Sequence, residues 1–332
     1  TIQADGTCDW EAGGGGGATD LNGLSDCETG TSSMFLGSTS ADATQLYNTG
    51  VGIQALDSLV AGGIYNTCVG YQAGTAISTG DENTLIGTQA GASITTGSNN
   101  QIIGRAGGGS TNLLRTCLIG VNAGGNLDDG VQDCIYIGFQ AGYGGTTATG
   151  DKNIGLGYYA LKDIENGYMN VGIGYSALQV VSSGGENVGI GFVAGNSITT
   201  GSRNISIGTG SDCAATVSEQ IAIGDNAICS GAKSIAIGDA VATTTASTFV
   251  IGSGTTLAMV AEFGTANQAQ VGINLGTTYA APSATLHVKG EGATSSTKGL
   301  LVENSSGSDT LVVDDARRFA LGYECGLPSV DT

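Results

Sequence analysis

The sequence predicts an all-β chain, a parallel β-solenoid of short stacked coils followed by a small β module. Three observations predict it. Between Asn153 and Gly208 one phrase recurs with a step of 17 residues (170 − 153, 187 − 170 and 204 − 187 are all 17), each copy opening on Asn and ending its first run on Gly. Within each run, as in Ile205-Ser206-Ile207-Gly208, large apolar residues stand two apart, the spacing of a strand and not of a helix. Glycine is abundant, 59 of 332 residues, with no three-residue period, so it serves turns and not a collagen helix. A unit this short cannot bury its own apolar face; stacked copies bury it together.

Each coil is justified position by position. Asn153, Asn170, Asn187 and Asn204 open it, and Asn recurs in that place at 48, 66, 83 and 100. An amide there can bond the turn backbone of its own or the next coil, which makes this ladder structural. Gly157, Gly174, Gly191 and Gly208 end the strand, where the bend excludes a side chain. A second short strand is expected next, with Ala160, Ala177 and Ala194 three residues past the Gly, and a polar Gly/Ser/Thr loop closes the coil. Counting the strand-ending glycines from Gly37 to Gly252 gives fourteen coils, spaced 15 to 19 residues at first and 16, 14 and 14 at the end. At the separation of neighbouring strands such a stack is roughly 65 Å long.

The middle residue of each strand changes along the chain. It is Leu85, Ile102, Leu118 and Tyr136 first, then Gly155, Gly172 and Gly189. Alternation with the flanking Ile and Val is expected to turn this row away from the coil interior. It would then form an oligomer interface, greasy at one end and closely approached at the other, and the coils are expected to need partner chains to fold. An aromatic residue often follows the Gly, at Tyr71, Phe139, Tyr158, Tyr175 and Phe192. These predict a stacked ladder, serving packing or offering a strip for sugar or protein. Extra length falls in the loops at 126–130 and 143–150, which are expected to protrude. Asp128, Asp129 and Tyr143 are the expected receptor contacts, since loops can vary while the coil core cannot.

The domain reading is a Gly-rich attachment or capping segment at 1–33, the repeats at 34–254, a neck at 255–290 and a C-terminal β stalk module at 291–332. Strands are expected within 299–303 and 310–314, with another at 319–322. Residue 1 is Thr, so the chain is expected to be processed or part of something longer. A net charge of −19 repels phosphate backbones and argues against a nucleic-acid partner. The sequence has no apolar run of about 18 residues, so no membrane insertion as a helix is expected.

Eight cysteines show no zinc spacing. Cys8 and Cys27, outside the repeats, are the best candidates for a disulfide. Cys68, Cys117 and Cys134 occupy repeat positions and are expected to be reduced, inaccessible packing residues. No cofactor is expected, although Asp128, Asp129 and Asp133 offer oxygen ligands of the kind Ca²⁺ takes. His287 is the only histidine and alternates with Leu286 and Val288, which argues against a Ser-His-Asp triad. Asp128 with Asp129 and Asp314 with Asp315 are sequence neighbours, so alternation points each pair apart, unlike a glycosidase pair. A non-enzymatic protein is expected.

Two segments carry a resemblance. Gln220 to Gly224 and Ser234 to Gly238, with their 14-residue step, resemble the head repeats of YadA-type trimeric autotransporter adhesins. The 17-residue coils with Thr-Thr-Gly-Ser-x-Asn loops at 95–100 and 199–204 resemble repeats of bacteriophage tail fibres. Residues 271–322 resemble the stalk that precedes a C-terminal intramolecular chaperone domain in such fibres. The resemblance implies a left-handed β-roll, a parallel homotrimer and a place on the virion beside other tail proteins. It implies contact with a glycan or protein of the host surface. A bacterial trimeric surface adhesin or filament is the alternative it leaves, and a polysaccharide depolymerase a further one. The chaperone, coiled-coil stalk and membrane-anchor regions are not in this sequence, which favours the fibre over the anchored adhesin.

Overall fold

A computed structural model describes residues 47–263, apart from 61, 108, 146, 147 and 255. Outside that stretch it describes the backbone of short strands at 11–12, 16–17, 27–29, 34–36, 269–276, 286–288, 298–303, 309–314 and 319–321. The fold is all-β, a parallel solenoid of about 12 turns with no helix among the described residues. Fourteen coils were expected; Met34–Leu36 of the first unit and Thr248–Ser253 of the second pair parallel on one side and antiparallel on the other, so regular stacking ends at each. The chain divides into two compact units, Thr1–Gly210 with Ala214–Thr216, and Ser211–Cys213 with Val217–Thr332.

In the first unit, ten three-residue strands from Thr49–Val51 to Ile205–Ile207 stack parallel and in register. Ile154, Gly155 and Leu156, for example, face Val171, Gly172 and Ile173. In-register stacking follows from the constant period, because each residue meets its own counterpart one coil on. The segment after the strand is not the second strand expected from the sequence. It is a run of turns with left-handed residues, such as Tyr159 (φ 59°) and Leu161 (φ 54°). Its backbone still bonds from coil to coil: Tyr159 N–H donates to Phe139 O at 3.1 Å and Leu161 N–H to Ala177 O at 3.0 Å. A true second strand appears only in the shorter coils of the second unit, at Asp212–Cys213, Ile228–Cys229 and Ala242–Thr243. Coils of 17 residues must take up extra chain within the same rise, and turns do so.

The second unit stacks Ile221–Ile223, Ile235–Ile237 and Thr248–Ser253 parallel. An antiparallel meander of Thr248–Ser253, Thr256–Phe263 and Ala269–Gly276 follows, with Leu286–Val288 parallel to its last strand. A separate antiparallel sheet joins Lys298–Glu303, Asp309–Asp314 and Phe319–Leu321. Cys8 and the side chains of Cys27 and His287 lie outside what the structure describes.

The interior reverses one expectation. Leu85, Ile102, Leu118 and Tyr136 are fully buried inside their own coils, and the flanking residues of each strand face out. Gly155, Gly172 and Gly189 occupy the same inward place. They point into the coil and leave room there, Gly155 for the Tyr136 ring and Gly172 and Gly189 for leucines. A Cβ on Gly172 would meet Leu161 Cγ at 3.2 Å, and one on Gly189 would meet Leu178 Cγ at 2.6 Å. The two walls trade volume: Leu85, Ile102 and Leu118 face Gly91, Gly107 and Gly124, whereas the coils of Gly155 and Gly172 carry Leu161 and Leu178. A second row of aliphatic side chains, Ile94, Leu113, Leu127, Ile164, Val181 and Ile198, is buried further along the coils, and Ala160, Ala177 and Ala194 are buried beside them.

Tyr136 is the largest buried side chain. It fits because Gly142 and Gly155 leave space over its ring, where a Cβ on Gly155 would lie 3.0 Å from Cδ1. Its hydroxyl is buried beside Cys134 and Asn153 without closing a well-formed hydrogen bond, and burial pushes its pKa up. An unsatisfied buried hydroxyl costs about 1–3 kcal/mol. Tyr136→Phe is therefore expected to raise the unfolding free energy by an amount in that range, read as a higher denaturant midpoint at unchanged m-value; a lower midpoint would mean that the hydroxyl is satisfied.

The asparagines form a continuous buried ladder. Asn187 Nδ2 donates to Gly201 O at 2.9 Å and to Asn170 Oδ1 at 3.0 Å, while Asn187 Oδ1 accepts from the backbone N–H of Asn204 at 2.9 Å. Asn153 and Asn170 repeat the pattern. Where Asn is replaced, Thr116 and Cys134 keep one bond to a neighbouring rung each. Asn187→Ala strands the Asn204 N–H and the Gly201 carbonyl, and is expected to cost roughly 3 kcal/mol in chemical unfolding. A cost near zero would show that the ladder is ornamental.

Candidate interaction surfaces

The outward residues of the strands build the main surface. In the first unit one row runs Val51, Val69, Ile86, Ile103, Ile119, Ile137, Leu156, Ile173, Ile190 and Ile207. The parallel row begins with Thr49, Thr67, Thr84, Gln101 and Cys117, then becomes Ile135, Ile154, Val171, Val188 and Ile205. Neither row holds a charge. Ile86, Ile103, Ile135, Ile137 and Ile190 are 37% to 41% exposed. At the spacing of neighbouring strands the face is roughly 45 Å long. Aliphatic surface this continuous is uncommon on a chain that stays alone in water. The outward apolar row expected at the middle position lies instead one residue to either side.

Beside these rows stands an aromatic ladder. Phe139, Tyr158, Tyr175 and Phe192 stack with centroids 5.1 to 5.2 Å apart and planes within 3° to 16°. Tyr71 belongs to the same row but is separated from them by Thr88, Arg105 and Val121. The rings lie face to face along the stack, so between neighbours their faces are occupied and only edges are offered. That geometry does not suit sugar rings, which stack on aromatic faces, and it widens the apolar surface instead.

A third column lies just before the asparagines and is left-handed on every coil, including Arg115 (φ 53°), Asp133 (φ 59°), Lys152 (φ 60°) and Glu186 (φ 61°). Its charges alternate. Arg115 Nε donates to Asp133 Oδ1 at 2.7 Å and Nη2 to Asp133 Oδ2 at 3.1 Å, and this pairing holds the Asp133 carboxyl below its usual range. In-register stacking would set like charges on adjacent rungs against each other, and alternation removes that repulsion.

The expected receptor contacts are placed differently from one another. The longer loops stack on each other instead of standing out, with Leu127 and Ala148 buried and bridged, and Asp128 N–H donating to Ala148 O at 2.9 Å. Asp129 Oδ1 accepts from Thr111 N–H at 2.6 Å and Thr111 Oγ1 at 2.8 Å, which lowers its pKa. Asp129 and Asp133 are therefore turned to Thr111 and Arg115, and among the described residues no group of three acids converges on a metal position. Tyr143 instead packs over Gly125 and lines a cavity.

The cysteines also divide. Cys68 and Cys134 are buried, and burial raises both thiol pKa values. Cys117 departs from expectation: it is half-buried and stands on the outward aliphatic face. No protein-family model and no curated protein sequence matches the chain.

Proposed function

We propose that this chain is a non-enzymatic structural and adhesive fibre subunit of the bacteriophage tail-fibre kind. Copies associate side by side, parallel and in register, and the assembly projects from the virion to contact a glycan or protein of the host surface. The observation that carries this reading is the uncharged aliphatic face of the first unit. Its occupant must be apolar, as long as the face and matched to its period, and a second copy in register meets all three conditions. Trimeric closure rests on the resemblance of the repeats; the face by itself calls for more than one chain.

Cys117 reports on the proposal without mutation. In the assembly its thiol is expected to be protected from a maleimide reagent. Dilution or mild detergent that lowers the sedimenting mass is expected to expose it, while Cys68 and Cys134 stay protected throughout. A protein that sediments as a single chain in buffer, with Cys117 labelled at once, would overturn the proposed assembly.

A further inference from the structure

The coil that begins at Asn100 is one residue short, and the shortage leaves a cavity. In the preceding coil Gly87 is followed by Thr88, Gln89 and Ala90; here Gly104 is followed by Arg105 and then directly by Ala106. The backbone fixes this alignment. Gly91 N–H donates to Ala106 O at 3.1 Å, as Gly74 N–H donates to Ala90 O at 2.9 Å one coil earlier. The missing residue is the one that would continue an exposed glutamine ladder. Gln72 Nε2 donates to Gln54 Oε1 at 2.8 Å, and Gln89 Nε2 to Gln72 Oε1 at 3.1 Å. At Gln89 the ladder stops, and its Oε1 has no next rung to accept from. Asn122 resumes the row on the far side, its backbone N–H bonded to Arg105 O at 2.7 Å.

The notch has a volume of about 330 Å³, with Gln89 and Asn122 on its rims, Ala106 in its wall, and Arg105 and Tyr143 beside it. This is near the lower end for small-ligand sites and suits one or two sugar rings. None of its lining residues comes from the aliphatic rows. It lacks any large aliphatic side chain, so an apolar ligand would bury little. Arg105 is exposed and has no carboxylate partner among the described residues, although the chain is strongly acidic. A guanidinium matches a carboxylate through paired N–H donors, two carboxamides match neighbouring hydroxyls, and a ring edge can flank a sugar.

We infer that this notch binds a carboxylated sugar residue, with Arg105 on the carboxylate and Gln89 and Asn122 on hydroxyls. The inference deepens the adhesive reading by naming a ligand class. It is tested separately from assembly, because binding is measured on the full chain whatever mass it sediments with.

The probes are methyl glucuronide and, as the neutral control, methyl glucoside, titrated calorimetrically or by NMR line shape. The glucuronide is expected to bind at least about tenfold more tightly than the glucoside. Arg105→Gln is expected to remove that difference. Inserting a glutamine between Arg105 and Ala106 restores the regular turn, continues the ladder and fills the notch. It is expected to abolish binding of the glucuronide while the circular dichroism spectrum is kept. Absence of glucuronide binding, equal binding of the two probes, or binding unchanged in either variant would each overturn the inference.

Discussion

Gly191→Ala is expected to cost more than about 3 kcal/mol and to leave unfolded or aggregated chain. Gly191 has φ +135°, where a Cβ is strained whatever space surrounds it. The space is also missing, because the new methyl carbon would lie 2.5 Å from Gly208 O. That atom is backbone of the next rung and cannot turn aside as a side chain could. Relief requires the two rungs to part, which breaks the parallel ladder from Val188–Ile190 to Ile205–Ile207. Gly62→Ala is the control. Gly62 has φ +115° but nothing within 4 Å of its Cβ position, so it carries the dihedral strain without the collision. Thermal unfolding should place Gly191→Ala well below Gly62→Ala. Equal losses would mean that strain alone sets the cost and that the rungs tolerate the methyl group.

The second large effect is expected at the outward face. Ile173→Asp combined with Ile190→Asp should dissociate the assembly while leaving the coil folded. Ile173 is half-buried and Ile190 is 37% exposed in the single chain, so in an isolated coil each carboxylate would still reach water. Between copies each would be desolvated and set against its own counterpart, at several kcal/mol per site, multiplied by the number of chains. Sedimentation should report the mass of one chain, with an unchanged β-type circular dichroism spectrum. An undiminished mass would show that another surface joins the copies. Loss of the β spectrum would show instead that the coil cannot stand without its partners, as the thinness of each coil suggests.

The repeat period, the strand at the head of each coil, the opening Asn and the closing Gly were all legible in the sequence. Each is imposed by a requirement that recurs identically at every coil and its next neighbour. The Asn must satisfy buried turn groups, and the Gly must turn where the next rung's backbone passes at contact distance. The interaction surface was legible only as a pattern of alternation, which names two faces of a strand and does not say which is inside. Placing large residues inward seemed the apolar choice, since Ile154 and Leu156 flank a mere Gly155. Closure of the coil decided otherwise. A three-residue strand sends only its middle residue inward, and the room for it depends on the residue it faces, as where Leu85 lies against Gly91 or Leu161 against Gly172. The Ile and Val rows to either side are left facing outward. The notch at Arg105 was hidden for the same reason. A one-residue deletion is a small irregularity of spacing in the sequence, and it becomes a cavity only when coils on both sides hold their rungs in register across it.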